Sequence, residues 1–160
     1  MVNKNACKKI AALGIALSAV FVSASAMAGG TNTLTVSANV VGTCKFATAT
    51  STLAFGALDP SVGTNVNATG STNYWCTKGV TTAAITADNG LNFSGSRRMV
   101  NATSATDLIP YTLTLTPSAT APGGPATPLT LNLAGTVLGT NYTAVAAGNY
   151  SDTVILTITP

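Results

Sequence analysis

The stretch T-L-T-V-S-A-N-V-V-G-T-C, residues 33–44, alternates polar and apolar side chains strictly over its first eight positions. A β-strand places every second side chain on the same face, so this pattern predicts a strand at residues 33–41 with one apolar face. The positions on that face are Leu34, Val36, Ala38 and Val40. An apolar face needs a core to enter, which belongs either to this domain or to a neighbouring one.

Residues 1–28 have the pattern of an export signal. Basic residues open the chain, an uncharged apolar run follows from residue 10 to residue 24, and a small-x-small site ends at Ala28. We therefore expect cleavage between Ala28 and Gly29, export to the periplasm, and then display at the cell surface or secretion. The alternative is a retained membrane anchor, although the apolar run is short for a span of about 20 residues.

The predicted mature chain carries few charges and no net charge. The whole sequence has a formal charge of +3, and three of its seven basic residues lie in the export signal. The four that remain balance the four aspartates. No electrostatic reason therefore favours a nucleic acid or an anionic membrane as partner. A near-neutral surface favours self-association instead.

Two cysteines remain in the mature chain, Cys44 and Cys76. An even pair in an exported protein predicts a disulfide. Closing a loop of about 30 residues stabilises a fold by roughly 3–4 kcal/mol in the chain-entropy model. Two buried free thiols are the alternative. A metal site is disfavoured because the chain has no histidine to complete it, and we expect no metal and no other cofactor.

The rest of the sequence predicts an all-β fold. Short Thr- and Val-rich segments are separated by turn signals, and no stretch after residue 28 has helical periodicity. D-N-G at residues 88–90 predicts a tight turn, and the runs Y-T-L-T-L-T and P-L-T-L-N-L are expected to pair as a hairpin around P-G-G-P. This pattern is typical of one antiparallel sandwich domain. Strands are expected at residues 33–41, 51–55, 71–76, 82–87, 110–116, 129–133 and 151–159.

The last expected strand has no successor in this sequence. Val154, Leu156 and Ile158 share one of its faces. Because proteins usually protect the edges of their sheets, we expect an unfilled row beside this strand, whereas the strand at residues 33–41 is spare.

The residue types that catalysis needs are scarce. The chain has no histidine and no glutamate, and its four mature carboxylates are scattered. Phosphate-binding loops, nucleophile motifs and metal-ligand spacings do not occur. We therefore expect no enzyme and no small-molecule substrate. Arg97 and Arg98 suggest an anion site, although such a pair is more often solvated or structural.

The aromatic residues allow a hypothesis of a different class, a platform on which sugars stack. Aromatics make up 6% of the chain, and in a sandwich they more often belong to the core or its rim. The candidates are Tyr74, Trp75, Tyr111, Tyr142 and Tyr150.

Several short motifs follow one another along the mature chain in a recognisable order. They are V-S-A-N-V-V-G-T-C before the first cysteine, L-A-F-G at residues 53–56, N-Y-W-C at the second cysteine, D-N-G followed by R-R-M, I-P-Y at residues 109–111, and G-N-Y-S-D-T-V at residues 148–154. In this order the chain resembles the spore coat protein U domain family, which includes subunits of archaic chaperone–usher pili of the Csu type. The ending Thr159-Pro160 departs from the aromatic or aliphatic ending usual in that family.

The resemblance implies an incomplete immunoglobulin-like antiparallel β-sandwich that lacks its last strand. A periplasmic chaperone would cover the apolar groove, and at the outer-membrane usher the N-terminal strand of the next subunit would replace the chaperone by donor-strand exchange. In this chain, residues 29–41 would be the donor strand and residues 42–160 the sandwich domain. The donor residues would be Leu34, Val36, Ala38 and Val40.

The sequence therefore predicts a shaft or adaptor subunit of such a pilus, which joins neighbouring subunits head to tail in surface adhesion and biofilm formation. Two alternatives remain at this point. One is a self-contained secreted spore-coat-type structural protein, in which residues 33–41 are the domain's own edge strand. The other is a glycan-binding β-sandwich module.

Overall fold

The computed structural model describes residues 29–81 and 83–160. The predicted export signal, with Ala28 at its cleavage site, lies outside the described residues. A compact unit covers Ala38–Pro160, and the described residues 29–37 do not belong to it. No helix among the described residues is long and apolar enough to cross a membrane.

Antiparallel β-strands dominate the described part of the compact unit. A 3-10 turn at Gly139–Asn141 is its one helical element among the described residues, and every ladder between strands is antiparallel. The all-β antiparallel fold predicted from the sequence is confirmed. The strands are β1 (Cys44–Phe46), β2 (Val66–Cys76), β3 (Ala84–Ala87), β4 (Arg97–Asn101), β5 (Leu108–Pro117), β6 (Leu129–Val137), β7 (Tyr150–Ser151) and β8 (Leu156–Thr159).

The strands form two sheets of unequal size. The larger sheet has six strands in the order β1-β2-β6-β5-β4-β7, and the smaller one pairs β3 with β8. The predicted hairpin around P-G-G-P is confirmed, because β5 and β6 pair in register from Thr112 opposite Thr136 to Pro117 opposite Leu131. The predicted D-N-G turn is also confirmed, since Gly90 has a φ of 76° and donates its N–H to the Asp88 carboxylate.

Strict alternation along β6 builds the centre of the core. Leu129, Leu131 and Leu133 are buried, whereas the Thr130 and Asn132 side chains between them are exposed. Ile85, Leu156 and Ile158 of the smaller sheet pack against this cluster. The two sheets therefore lie face to face as two layers.

The smaller sheet does not cover the whole inner face of the larger one. On β5, the core-facing side chains of Leu113 and Leu115 are only half-buried. A second cluster, around the buried Ile109 and Tyr142, is likewise bordered by half-buried apolar side chains. Two strands opposite six leave apolar surface of the inner face open to solvent.

The predicted disulfide is confirmed. A disulfide joins Cys44 of β1 to Cys76 of β2, two residues that stand directly opposite each other in the ladder. The alternative of two buried free thiols is therefore wrong. The bond ties the short strand β1 to the longest strand of the sheet.

The structure differs from the expected strands at three segments. Neither residues 33–41 nor residues 51–55 join a ladder among the described residues. The expected strand at residues 151–159 is divided, because β7 pairs with β4 of the larger sheet whereas β8 pairs with β3 of the smaller one. The strands β1 and β4 had not been expected.

Candidate functional site

A groove of about 1030 Å³ with an apolar floor opens on the inner face of the six-stranded sheet. This volume lies at the upper end of the range found for small-molecule pockets. Residues 51–58 form one wall, and residues 145–156 form the other. The side chains of its floor come mostly from β5 and β6 and are Met99, Ile109, Tyr111, Leu113 and Leu133.

The first wall is a segment outside both sheets that presents apolar side chains to the groove. Leu53 and Phe55 are half-buried, and the Phe55 ring stands edge-on to the Tyr111 ring at a centroid distance of 6.1 Å. Two glycines of the sheet allow this segment to come close. A Cβ on Gly70 would lie 2.6 Å from the carbonyl oxygen of Thr52, and one on Gly135 would lie 2.8 Å from Leu53 Cδ2. The wall therefore depends on glycine at both positions.

We expect Gly135→Ala to destabilise the unit by about 1–3 kcal/mol, because the added methyl group overpacks the first wall. The methyl would lie 2.9 Å from the Thr112 carbonyl oxygen and 3.0 Å from Phe55 Cζ. Urea unfolding at neutral pH measures the loss. Ala134→Gly, at the exposed position beside it, is the control for backbone flexibility. An unchanged unfolding midpoint in Gly135→Ala would show that the wall does not need this close approach.

The second wall includes an open strand edge. The N–H of Ile155 donates to Asp88 Oδ1 at 2.9 Å, and the N–H of Asp88 donates to the Ile155 carbonyl at 3.0 Å. In an extended strand the N–H and C=O of one residue point to the same edge, and those of the next residue point to the other edge. Those of Val154 and Leu156 therefore point away from β3, on the groove side, and β8 has no second partner strand among the described residues.

An aspartate holds the second wall to the floor. Asp152 accepts a hydrogen bond from the Tyr111 hydroxyl at 2.7 Å and one from the N–H of Leu91 at 3.0 Å. Burial of the ring, and then the hydrogen bond to this carboxylate, raise the pKa of Tyr111 well above its ordinary value. The loop after β3 and the segment before β8 thus meet at the Asp152 carboxylate.

Tyr111→Phe is expected to make the protein less stable at neutral pH but less sensitive to alkali. The lost hydrogen bond to a carboxylate costs about 1–3 kcal/mol. In the parent, the unfolded chain loses the Tyr111 proton above a pH of about 10 while the folded chain keeps it, so stability falls as pH rises. The variant lacks this contribution. Urea unfolding at pH 8 and pH 11 measures both effects, and an equal fall in both proteins would contradict the argument.

The family model of the Spore Coat Protein U domain matches residues 30–157. The chain belongs to this family. The Spore Coat Protein U domain family includes pilus-type and spore-coat-type proteins. A search of the curated proteins found no match.

In this Spore Coat Protein U domain, the predicted donor residues lie on exposed chain. The exposed fractions of Leu34, Val36 and Val40 are 82%, 84% and 80%, and Ala38 is exposed as well. The first backbone groups after them that have hydrogen-bond partners lie beside Thr77. The Thr77 hydroxyl donates to the Val41 carbonyl at 3.4 Å, and the N–H of Thr43 donates to Thr77 Oγ1 at 3.0 Å. These exposed apolar side chains therefore precede β1 on a segment that joins no ladder among the described residues.

The other candidate residues of the domain are structural. Arg97 donates to the carbonyl oxygens of Ala87 and Asp88, and Arg98 donates to that of Asn92. Both guanidinium groups thus fix the loop between β3 and β4, so the hypothesis of an anion site gains no support.

The aromatic candidates do not form an exposed platform. Tyr111, Tyr142 and Tyr150 line the groove together, but Tyr111 and Tyr142 are only 8% and 2% exposed. Tyr74 is buried on the inner face of β2, while Trp75 follows it and points to the other face. The hydroxyl of the buried Tyr142 donates to the Thr64 carbonyl. The hypothesis of a sugar-stacking platform therefore gains no support from their positions.

Sequence reasoning missed the two walls of the groove. It had found the L-A-F-G motif and the aspartates of D-N-G and Y-S-D only as separate features. The structure shows that L-A-F-G faces the groove and that Asp88 and Asp152 join one loop to the strand opposite it. The signal available in the sequence was the alternation of Leu53 and Phe55 with small residues.

Proposed function

We propose that this protein is a structural subunit of an archaic chaperone–usher pilus of the Csu type, and that it polymerises by donor-strand complementation. The observation that carries the proposal is a groove with an apolar floor and an open strand edge as one wall. The same chain carries an exposed segment whose sequence alternates as in a strand with one apolar face.

The chemistry of the groove favours an extended peptide over a small molecule. Val154 and Leu156 offer peptide N–H and C=O groups in a row, while the floor offers apolar surface from β5 and β6. A β-strand uses both features, because its main chain pairs with the edge and every second side chain enters the floor. A compact ligand would leave most of the row unpaired.

The residues before Cys44 have the pattern that this groove requires. Leu34, Val36 and Val40 are each at least 80% exposed, and burying such a side chain fully is worth about 1.5–3 kcal/mol. Three of them provide a substantial driving force for one joint, from which the cost of association must be subtracted. When the strand of one copy fills the groove of the next, the contact is head-to-tail and does not close on itself, so the product is a fibre.

An exposed groove with an apolar floor also calls for protection before assembly. Apolar patches of this kind promote aggregation in a free subunit, and a periplasmic chaperone that lends a strand would cover the groove until an outer-membrane usher exchanges the two strands. The resulting fibre would act at the cell surface in adhesion and biofilm formation. A spore-coat-type protein with a self-contained domain is the competing function.

Deleting residues 29–41 tests the proposal. The truncated chain and the full chain are each expressed with the chaperone and usher of such a pathway, and their products are separated by size without boiling. We expect a ladder of polymers from the full chain and none from the truncated chain, which stays bound to the chaperone. Continued polymerisation of the truncated chain would overturn the proposal. A full chain that is a stable monomer without a chaperone would favour the spore-coat-type function.

A further inference from the structure

The outer face of the three central strands is polar but uncharged. It comprises the outward positions of residues 67–73 on β2, 112–116 on β5 and 130–136 on β6, which we call the threonine face. Threonine, asparagine and serine occupy all of these positions except that of Ala134. The strands on its two sides carry charge, with Lys45 on β1 and Arg98 on β4.

The threonine face is ordered in rows across the sheet. Thr114, Ala134 and Thr69 stand side by side in the central row, and Thr112, Thr136 and Asn67 form the row beside it. In that second row the Thr136 hydroxyl donates to Asn67 Oδ1 at 2.7 Å. Most of these side chains are exposed, so their remaining hydrogen-bonding capacity faces outward.

The chemistry of the face makes it complementary to itself. A hydroxyl group and a carboxamide group each both donate and accept hydrogen bonds. Two such faces can pair across a two-fold axis without bringing like charges together, whereas a face of one sign would repel its copy. Trp75 points outward at the end of β2 but lies beyond the threonine face, so no aromatic ring within the face offers a sugar a stacking surface.

The area of the face decides where such pairing is stable. Three strands about 4.8 Å apart and about seven residues long, at roughly 3.3 Å each, make a face of approximately 330 Å². Two faces together fall below the roughly 1,000 Å² that a specific interface needs. One pair is therefore too weak to hold free subunits together, but contacts repeated along two fibres add up.

We propose that the threonine face binds the threonine face of a second copy in a neighbouring fibre, so that fibres associate side by side into bundles. This inference rests on the proposed function, because it requires a polymer. The expected behaviour is a free subunit that does not dimerise through this face and a fibre that bundles.

Charge placed at the centre of the face tests the inference. Fibres are assembled from the full chain with Ala134→Lys or Ala134→Glu, and bundles are counted by electron microscopy at low ionic strength. The matched controls are Ala126→Lys and Ala126→Glu in the exposed loop between β5 and β6. If Ala134→Lys does not assemble, Thr114→Lys and Thr114→Glu in the same row replace the pair.

We expect each charged face to reduce bundling by about tenfold or more through like-charge repulsion, with single fibres retained. A mixture of the Lys and Glu fibres should bundle again and separate in 1 M salt, where screening extends over roughly 3 Å. Unchanged bundling in both variants, or equal loss in the Ala126 controls, would overturn the inference but leave the proposed function intact. If the fibres bundle only when a neutral polysaccharide is added, the face binds the sugar and not a second copy, which would also overturn the inference. Absence of fibres from the parent chain would overturn the proposed function itself.

Discussion

Val36→Asp is expected to abolish polymerisation of the mature chain without unfolding its sheets. Val36 is 84% exposed and precedes every strand of the fold, so the substitution changes no contact of the core. In the proposed joint, however, the side chain enters an apolar floor. Losing its burial alone removes about 1.5–3 kcal/mol, which weakens the joint roughly 10–150-fold, and burying an unpaired carboxylate adds a larger penalty.

The neighbouring residue provides the matched control. Ser37 lies on the opposite face of the predicted strand, so Ser37→Asp adds the same charge one position away without placing it in the floor. Size separation of the assembled products, together with the circular dichroism of each monomer, distinguishes the two. Equal polymerisation of both variants, or equal loss in both, would contradict the assignment of the apolar face.

Replacing both cysteines by alanine is expected to cost the domain about 3–4 kcal/mol of unfolding free energy, because the unfolded chain regains the freedom of a loop of this length. The residues are 32 positions apart and join β1 to β2. Without the bond, the three-residue strand β1 has one ladder and little buried surface to hold it. Such a loss is a large part of the 5–15 kcal/mol typical of a whole domain.

Urea unfolding, followed by the fluorescence of the single tryptophan Trp75, measures this loss on monomers of both proteins. The parent protein in reducing agent is the control, and it should unfold at the same urea concentration as the variant. A difference of less than about 1 kcal/mol between oxidised and reduced parent would show that the disulfide does not stabilise the domain.

Local signals were enough to predict the elements whose partners are close in sequence. The hairpin of β5 and β6 follows from two alternating runs on either side of a Gly-Pro turn, and the turn at Asp88 follows from D-N-G. The disulfide follows from an even pair of cysteines in a chain with a predicted export signal. In each case the residues themselves encode the contact.

Elements whose partners are distant could not be predicted in this way. β4 has the sequence R-R-M-V-N, without apolar alternation, because its arginines donate to loop carbonyls rather than to solvent. The groove is the clearest case. Its walls come from residues 51–58 and 145–156, and only the sheet topology shows that no ladder joins them. Alternation predicts a strand, but it does not determine which strand lies next to it.

The central claim is that the N-terminal strand of one copy pairs with the open edge beside the groove of another. Residue-resolved deuterium exchange of the polymer, quenched and then dissolved, compared with that of the monomer, tests it most directly. We expect the amides of Val154 and Leu156 to become protected only in the polymer. The amide of Ile155, which already donates to Asp88, should exchange equally in both. Fast exchange of Val154 and Leu156 in the polymer would contradict the claim.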